Sequence, residues 1–111
     1  NVAQWDGVRW RSLATGMNGR VHELLSADAG DGTKLYAAGD FTRAGGNIAP
    51  GVARWSGTEW VPLGLLSDSG GAPEVRALAV WDDGTGPRLY IAGDFDRTDF
   101  DDAGNIARWK P

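Results

Sequence analysis

Apolar and polar residues alternate over short segments of the chain, which is the period-2 pattern of β-strands. The clearest segment is 75–80, where apolar side chains alternate with others, and the turn-forming stretch 82–87 separates it from a second short segment at 89–92. Segments 106–109 and 59–63 have the same character. No stretch carries apolar residues at the i, i+3, i+4 and i+7 spacing of an amphipathic helix. The pattern predicts an all-β protein of short strands.

The chain also repeats itself. The matching segments are VAQW at 2–5 with VARW at 52–55, and LYAAGDF at 35–41 with LYIAGDF at 89–95. The first pair is offset by 50 residues and the second by 54, and the additional residues fall in the Gly- and Ser-rich stretch 64–74, which predicts a lengthened loop. Ordered matches at a near-constant offset indicate an internal repeat.

We therefore predict one two-repeat unit over residues 1–111. The first repeat covers about 2–51, the second covers about 52–105, and 106–111 begins a further repeat. Four short strands in a unit of about 50 residues are the signature of a propeller blade. The predicted fold class is all-β, with two four-stranded blades of a β-propeller that is completed by oligomerisation or by a longer parent chain.

With the strands of a blade named a to d from the centre outward, the chain is predicted to contain nine strands. They run c-d over 2–13, a-b-c-d over 21–63 and a-b-c over 75–109. Asp6-Gly7 predicts a two-residue hairpin turn between the first c and d strands. Tryptophans recur on strands c and d, where we expect them to fill the space between neighbouring blades: Trp5, Trp10, Trp55, Trp60 and Trp109.

The residue order resembles kelch-type β-propeller repeats. It is most similar to bacterial extracellular repeats of the LYxGGxF…NIARWDG…W…LG kind, which also resemble fungal cortical cell-polarity marker repeats; the matching residues are LYIAGDF at 89–95, AGGNI at 44–48 and NIARW at 105–109. The resemblance covers essentially the whole chain and implies an extracellular or cell-surface protein. Ala38 and Ala92 stand where the family pattern has a second glycine, which implies slightly less room at that turn.

A closed propeller needs about four to eight blades, and two units supply only two. An isolated pair would expose apolar inter-blade faces and unpaired strand edges. Either the chain is a piece of a longer sequence, or copies close a ring as a homo-oligomer. A trimer is favoured because kelch-like blades most often occur in sixes and sevens; a dimer or a tetramer is the alternative. If the c-d pair of one copy completes the a-b pair of the next, segments 2–5 and 106–109 compete for one position, as an overlap or as the result of an arbitrary cut.

Composition excludes several classes of protein. The 111 residues carry a formal net charge of −4, which disfavours nucleic-acid binding. The chain has no cysteine, so disulfides and thiolate metal sites are excluded. No run of about 18 apolar residues exists, so we expect no membrane span.

Catalytic signals are weak. His22 is the only histidine, and no nucleophile-elbow pattern surrounds Ser26 or any other serine. We interpret His22 as a packed or solvent-facing side chain and predict that the protein is not an enzyme.

Acidic residues concentrate between 82 and 102. Oxygen ligands for Ca²⁺ could come from Asp96, Asp99, Asp101 and Asp102. Their spacing does not fit an EF-hand loop, and the alternative is a solvated acidic loop with no cofactor.

Asp40 and Asp94 follow the glycine that ends each strand b, where a carboxylate can accept backbone N–H bonds or contribute to a ring of acidic groups. Arg54 and Arg108 precede the strand-c tryptophan and could pair with these aspartates across blades. Trp81 stands where the first unit has an alanine and is the best candidate for an exposed aromatic platform. We predict a self-assembling scaffold or interaction module; the alternative is a lectin-like propeller that binds a glycan through these five residues.

Overall fold

The structure is a computed structural model that describes residues 2–14, 16–63, 73–82, 84–95 and 105–109. These residues form strands and turns and no helix, so the predicted all-β class is confirmed. None of the described segments is a helix of the length and apolar character needed to cross a bilayer.

Eleven strands lie within the described ranges and form four antiparallel sheets. The N-terminal hairpin consists of β1 (Ala3–Trp5) and β2 (Trp10–Ser12). The central sheet has the order β3-β4-β7-β8, with β3 (Val21–Asp28), β4 (Thr33–Gly39), β7 (Val52–Trp55) and β8 (Trp60–Pro62). The C-terminal sheet has the order β11-β10-β9, with β9 (Glu74–Asp82), β10 (Pro87–Asp94) and β11 (Ile106–Trp109). A small hairpin joins β5 (Arg43–Ala44) to β6 (Asn47–Ile48).

Nine of these strands occupy the positions that the sequence pattern predicts, in the order c-d, a-b-c-d, a-b-c. β5 and β6 were not predicted. They have two residues each, which is too short for a hydrophobic period to be visible in the sequence.

The turn between β1 and β2 has four residues, so the two-residue prediction for Asp6-Gly7 is wrong. Trp5 pairs directly with Trp10, and the Asp6 carboxylate accepts the backbone N–H groups of Val8 and Arg9, both at 2.9 Å. An aspartate side chain that bonds to the backbone in this way stabilises a longer loop than a glycine pair alone would.

The central sheet is covered on both faces. Along β4, Tyr36 and Ala38 point to the C-terminal sheet, while Leu35 and Ala37 point to the N-terminal hairpin. This alternation is the expected consequence of the two-residue period of a strand. Two apolar cores result, one on each side of β4.

The core between the central and C-terminal sheets is built mainly from residues that are fully or almost fully buried: Tyr36, Val52, Val75, Leu78, Leu89, Ile91 and Phe95. The core under the N-terminal hairpin has its own set: Val2, Leu13, Met17, Phe41, Ala53 and Trp60.

Strand b has a glycine at its end in the first repeat, Gly39 in β4, and one residue before its end in the second, Gly93 in β10, and another backbone passes directly beside each. A Cβ at Gly39 would overlap the carbonyl group of Arg20, and a Cβ at Gly93 would overlap that of Glu74. The strand pairing is irregular at both places, between Val21 and Glu23 in the central sheet and beside Gly93 in the C-terminal sheet. The two units therefore share this bulge as well as their sequence.

The turns that join strands a and b are also the same in both units. The Asp28 Oδ1 atom accepts N–H bonds from Gly30 at 2.8 Å and from Gly32 at 3.1 Å. The Asp82 Oδ1 atom accepts the two equivalent bonds at 2.8 and 3.0 Å. The sequence repeat is thus a repeat of local geometry.

Candidate functional site

Charged side chains meet where β3 and β9 begin. The His22 Nε2 atom lies 2.8 Å from the Glu74 Oε1 atom, and the same oxygen is 3.3 Å from the Arg76 guanidinium. Arg76 in turn lies 3.3 Å from the Asp94 carboxylate. This network of hydrogen bonds and ion pairs ties the central sheet to the C-terminal sheet.

The same place contains three groups that could hold a metal ion. One ligand atom each from His22, Asp40 and Glu74 lies within 4.8 Å of the other two. Each already has a partner in the chain, since Asp40 accepts the backbone N–H of Arg20 and Glu74 binds His22 and Arg76. The three side chains therefore also take part in the junction between the two sheets.

Sequence reasoning missed Glu74 as the partner of His22. The two residues are separated by 52 positions, and they meet only because β3 and β9 lie side by side. The available signal was the repeat itself, which aligns Val21 with Val75 and so places both residues at the start of a strand a.

The predicted aspartate sites lie at one end of the sheets. Asp40 accepts a backbone N–H from Arg20, as the structural interpretation of this residue expected, and Asp94 pairs with Arg76. Arg54 does not pair with either aspartate, so that prediction is wrong. Its Nη1 atom lies 2.7 Å from Asp31 instead, because strand c brings it to the turn between strands a and b.

Three other predicted residues lie toward the opposite end from Asp40 and Asp94. Trp81 is 61 % exposed and its ring lies 5.9 Å from that of Tyr90. Arg108 is paired with Tyr90 across β10 and β11, and Arg54 lies over the ring of Trp109 at 5.5 Å. The five candidate glycan-binding residues are therefore not brought together at one place. The candidate Ca²⁺ ligands Asp96, Asp99, Asp101 and Asp102 lie outside the described residues.

The face of the C-terminal sheet that points away from the central sheet is apolar, and we call it the outer face. It contains a shallow depression lined mainly by Ala77, Ala79, Tyr90, Ala92 and Ile106. Trp81 lies beside it, against Tyr90.

A second apolar opening, which we call the inner crevice, lies between the N-terminal hairpin and the central sheet. The residues that line it include Val2, Leu13, Leu24, Leu35 and Trp55. Leu24 is 47 % exposed there.

These two surfaces are related by the repeat to the buried contact between the central and C-terminal sheets. Val52 of the central sheet is 1 % exposed, while its equivalent on the outer face, Ile106, is 62 % exposed. Leu78 of the C-terminal sheet is 6 % exposed, while its equivalent in the inner crevice, Leu24, is 47 % exposed. The outer face thus carries the equivalents of the central-sheet residues in this buried contact. The inner crevice carries the equivalents of the C-terminal-sheet residues.

The tryptophans follow the same rule. Trp60 is fully buried, and its equivalent Trp10 is 68 % exposed. The ring pairs Trp5–Trp10 and Trp55–Trp60 have nearly the same geometry, with centroids 5.5 and 5.2 Å apart. The expectation that tryptophans fill the space between sheets is thus met at Trp60 and not at Trp5 or Trp10.

Comparisons of the chain with protein-family models, with curated proteins and with solved structures found no match.

Proposed function

We propose that the protein is a non-catalytic assembly module whose copies join head to tail into a closed β-propeller of kelch-like blades. The observation that carries this proposal is the exposure of apolar residues whose repeat equivalents are buried, Ile106 against Val52 and Leu24 against Leu78. Repeat units generally bury such faces against a neighbouring unit. The occupant that fits both surfaces is a second copy of the same chain.

The contact follows from the internal one. Tyr36 and Ala38 of the central sheet pack against Leu78 and Leu89 of the C-terminal sheet. In the assembly, Tyr90 and Ala92 of the outer face take the places of Tyr36 and Ala38, and the inner crevice of the next copy supplies the equivalents of the two leucines. A head-to-tail contact of this kind forms a ring only when its rotation divides the full circle. Three copies would provide six blades, in the range of closed propellers.

The ionic part of the internal contact is not repeated between copies. In the repeat, Arg76 is the equivalent of His22, and Arg20 is the equivalent of Glu74. The contact between copies would therefore bring two positive charges together. Apolar burial is therefore what drives the proposed contact, and salt should not weaken it. Screening of the two arginines predicts an equal or tighter association at high ionic strength.

The proposal assigns no catalytic role. His22, the only histidine, is held by Glu74 at 2.8 Å in a junction between two sheets. By the resemblance to extracellular propeller repeats, we place the module outside the cell or at its surface.

Light scattering after size exclusion tests the assembly. We expect a discrete mass of three chains; a discrete mass of two or four chains would retain the ring and change its blade number. Leu24→Glu places a charge in the inner crevice and should give a folded monomer, because a Leu side chain buried in the contact stabilises it by about 1.5–3 kcal/mol. Val8→Glu is the matched control, since Val8 lies in a turn and is 82 % exposed. A folded parent chain that stays monomeric at all concentrations would overturn the proposal.

A second candidate function is carbohydrate binding at Trp81. The exposed indole and the neighbouring Tyr90 ring offer an aromatic surface of the kind that stacks on sugars. Trp81→Ala restores the residue type found at the equivalent position of the first unit, Ala27, and should abolish any fluorescence change seen in a glycan screen. An unresponsive parent protein across the screen would remove this candidate.

A further inference from the structure

β1 and β11 are both equivalent to strand c, the third strand of a four-stranded sheet. β1 and β2 pair with Trp5 opposite Trp10 and Ala3 opposite Ser12. β7 and β8 pair in the equivalent way, with Trp55 opposite Trp60. The N-terminal hairpin is therefore the c-d half of a sheet, while the C-terminal sheet has strands a, b and c and lacks a strand d among the described residues.

The hairpin also packs as the c-d half of the central sheet does. Val2 and Leu13 pack in one core with Ala37 and Ala53 of the central sheet. Their equivalents in the other core are Val52 and Leu63, which pack with Ile91 and Ala107 of the C-terminal sheet. The hairpin thus lies on the central sheet as β7 and β8 lie on the C-terminal sheet.

A second copy placed against the C-terminal sheet as that sheet is placed against the central sheet meets a clash. Its N-terminal hairpin falls on the edge of β10, where β11 already pairs. Only one strand can pair along one edge of another. Assembly therefore requires either β11 or the incoming β1 to leave.

We propose that β1 of a second copy replaces β11 at the edge of β10, with β2 of that copy completing the sheet as its fourth strand. This inference rests on the proposed assembly. The present pairing of Ala92 with Ile106 and of Leu89 with Trp109 sets the register. In the exchanged sheet Ala92 pairs with Val2 of the second copy, and Leu89 pairs with its Trp5.

The burial of tryptophan favours the exchange. In the central sheet the Trp60 Nε1 atom donates to the carbonyl oxygen of Leu13 at 3.1 Å. By the same relation, Trp10 of the second copy donates to the carbonyl oxygen of Leu63. Within the described residues, β11 has no hairpin partner that brings in a second tryptophan.

Backbone conformation at the start of β11 points the same way. Asn105 has a φ of 69° where the first unit has Gly51 with a φ of 77°. A left-handed conformation is less favourable for Asn than for Gly. β11 therefore begins at a residue less suited to its turn than the equivalent glycine before β7.

Introduced cysteines test the exchange in the full chain, which has no cysteine of its own. Ala92→Cys with Ile106→Cys joins β11 to β10 within one copy, since these residues are paired and within disulfide reach. When oxidised, this variant should associate at least about tenfold more weakly than when reduced; the comparison of the two states isolates the disulfide from the effect of the two substitutions. Ala92→Cys with Val2→Cys should form a disulfide only between copies, because residue 2 packs on the opposite side of the central sheet. Ala92→Cys alone is the control.

The outcomes separate the two proposals. An oxidised Ala92→Cys/Ile106→Cys variant that assembles to the same mass as its reduced form would overturn the exchange and leave the assembly intact. Assembled Ala92→Cys/Val2→Cys protein without an interchain disulfide would also overturn the exchange. Reduced variants and a parent chain that all stay monomeric would overturn the proposed function, and the exchange with it.

Discussion

Trp60 donates its indole N–H to the carbonyl oxygen of Leu13 at 3.1 Å, across the junction between the N-terminal hairpin and the central sheet. The indole is fully buried, so this hydrogen bond lies in an apolar environment where an unpaired carbonyl is costly. The pair is therefore a polar link within the apolar core that the hairpin and the central sheet share.

Substitution of Trp60 should weaken the fold in two steps. Trp60→Phe removes the donor and part of the buried ring, and we expect a loss of about 1–3 kcal/mol in the free energy of unfolding because the Leu13 carbonyl is left unpaired. Trp60→Ala should cost about 3–5 kcal/mol because a cavity is added. Denaturant unfolding measures both, with Trp81→Phe at an exposed position as the control. A Trp60→Phe protein as stable as its parent would contradict the role assigned to the hydrogen bond.

The positions of strands could be predicted from the sequence because the period-2 pattern and the repeat agree at nearly every strand. The contents of the junction could not. His22 and Glu74 meet only after two sheets have packed, and Arg54 reaches Asp31 through a turn whose shape is set by the side chain of Asp28. Local periodicity carries no information about such contacts, which depend on the relative placement of whole sheets.

Glycine at position 39 should be essential for the fold. A Cβ there would overlap backbone atoms of Arg20, which cannot move aside as a side-chain end could. We expect Gly39→Ala to lower the free energy of unfolding by about 3 kcal/mol or more. Gly7→Ala is the matched comparison, because its Cβ would meet open space and only its φ of 96° is strained; about 1 kcal/mol is expected there. Equal effects of the two substitutions on thermal or denaturant unfolding would rule out backbone crowding as the cause.

His22 and Glu74 should be energetically coupled. The two side chains are 25 % and 23 % exposed and 2.8 Å apart, so the pair is partly screened by solvent. A double-mutant cycle with His22→Gln and Glu74→Gln should give a coupling energy of about 0.3–1 kcal/mol at low salt. The cycle of His22→Gln with Glu59→Gln, an exposed residue, is the control, and a coupling no larger than in that control would contradict the link between the two sheets.

Alkaline pH should destabilise the protein through Tyr36. Burial raises the pKa of Tyr36, the nearby Asp31 adds to the rise and Arg54 opposes it. Because the pKa of Tyr36 in the folded state lies above that in the unfolded chain, the neutral Tyr36 contributes fully to the free energy of unfolding below about pH 10. This contribution is lost as the pH rises beyond that value. Tyr36→Phe should therefore flatten the fall in stability at alkaline pH. At neutral pH the same substitution should change the free energy of unfolding little, because the buried hydroxyl has no hydrogen bond of regular geometry. Tyr90→Phe, at the half-buried equivalent position, controls for the loss of a tyrosine hydroxyl. Urea unfolding at a series of pH values measures the effect, and a Tyr36→Phe protein with an unchanged pH profile would show that the ionisation of Tyr36 is not linked to folding.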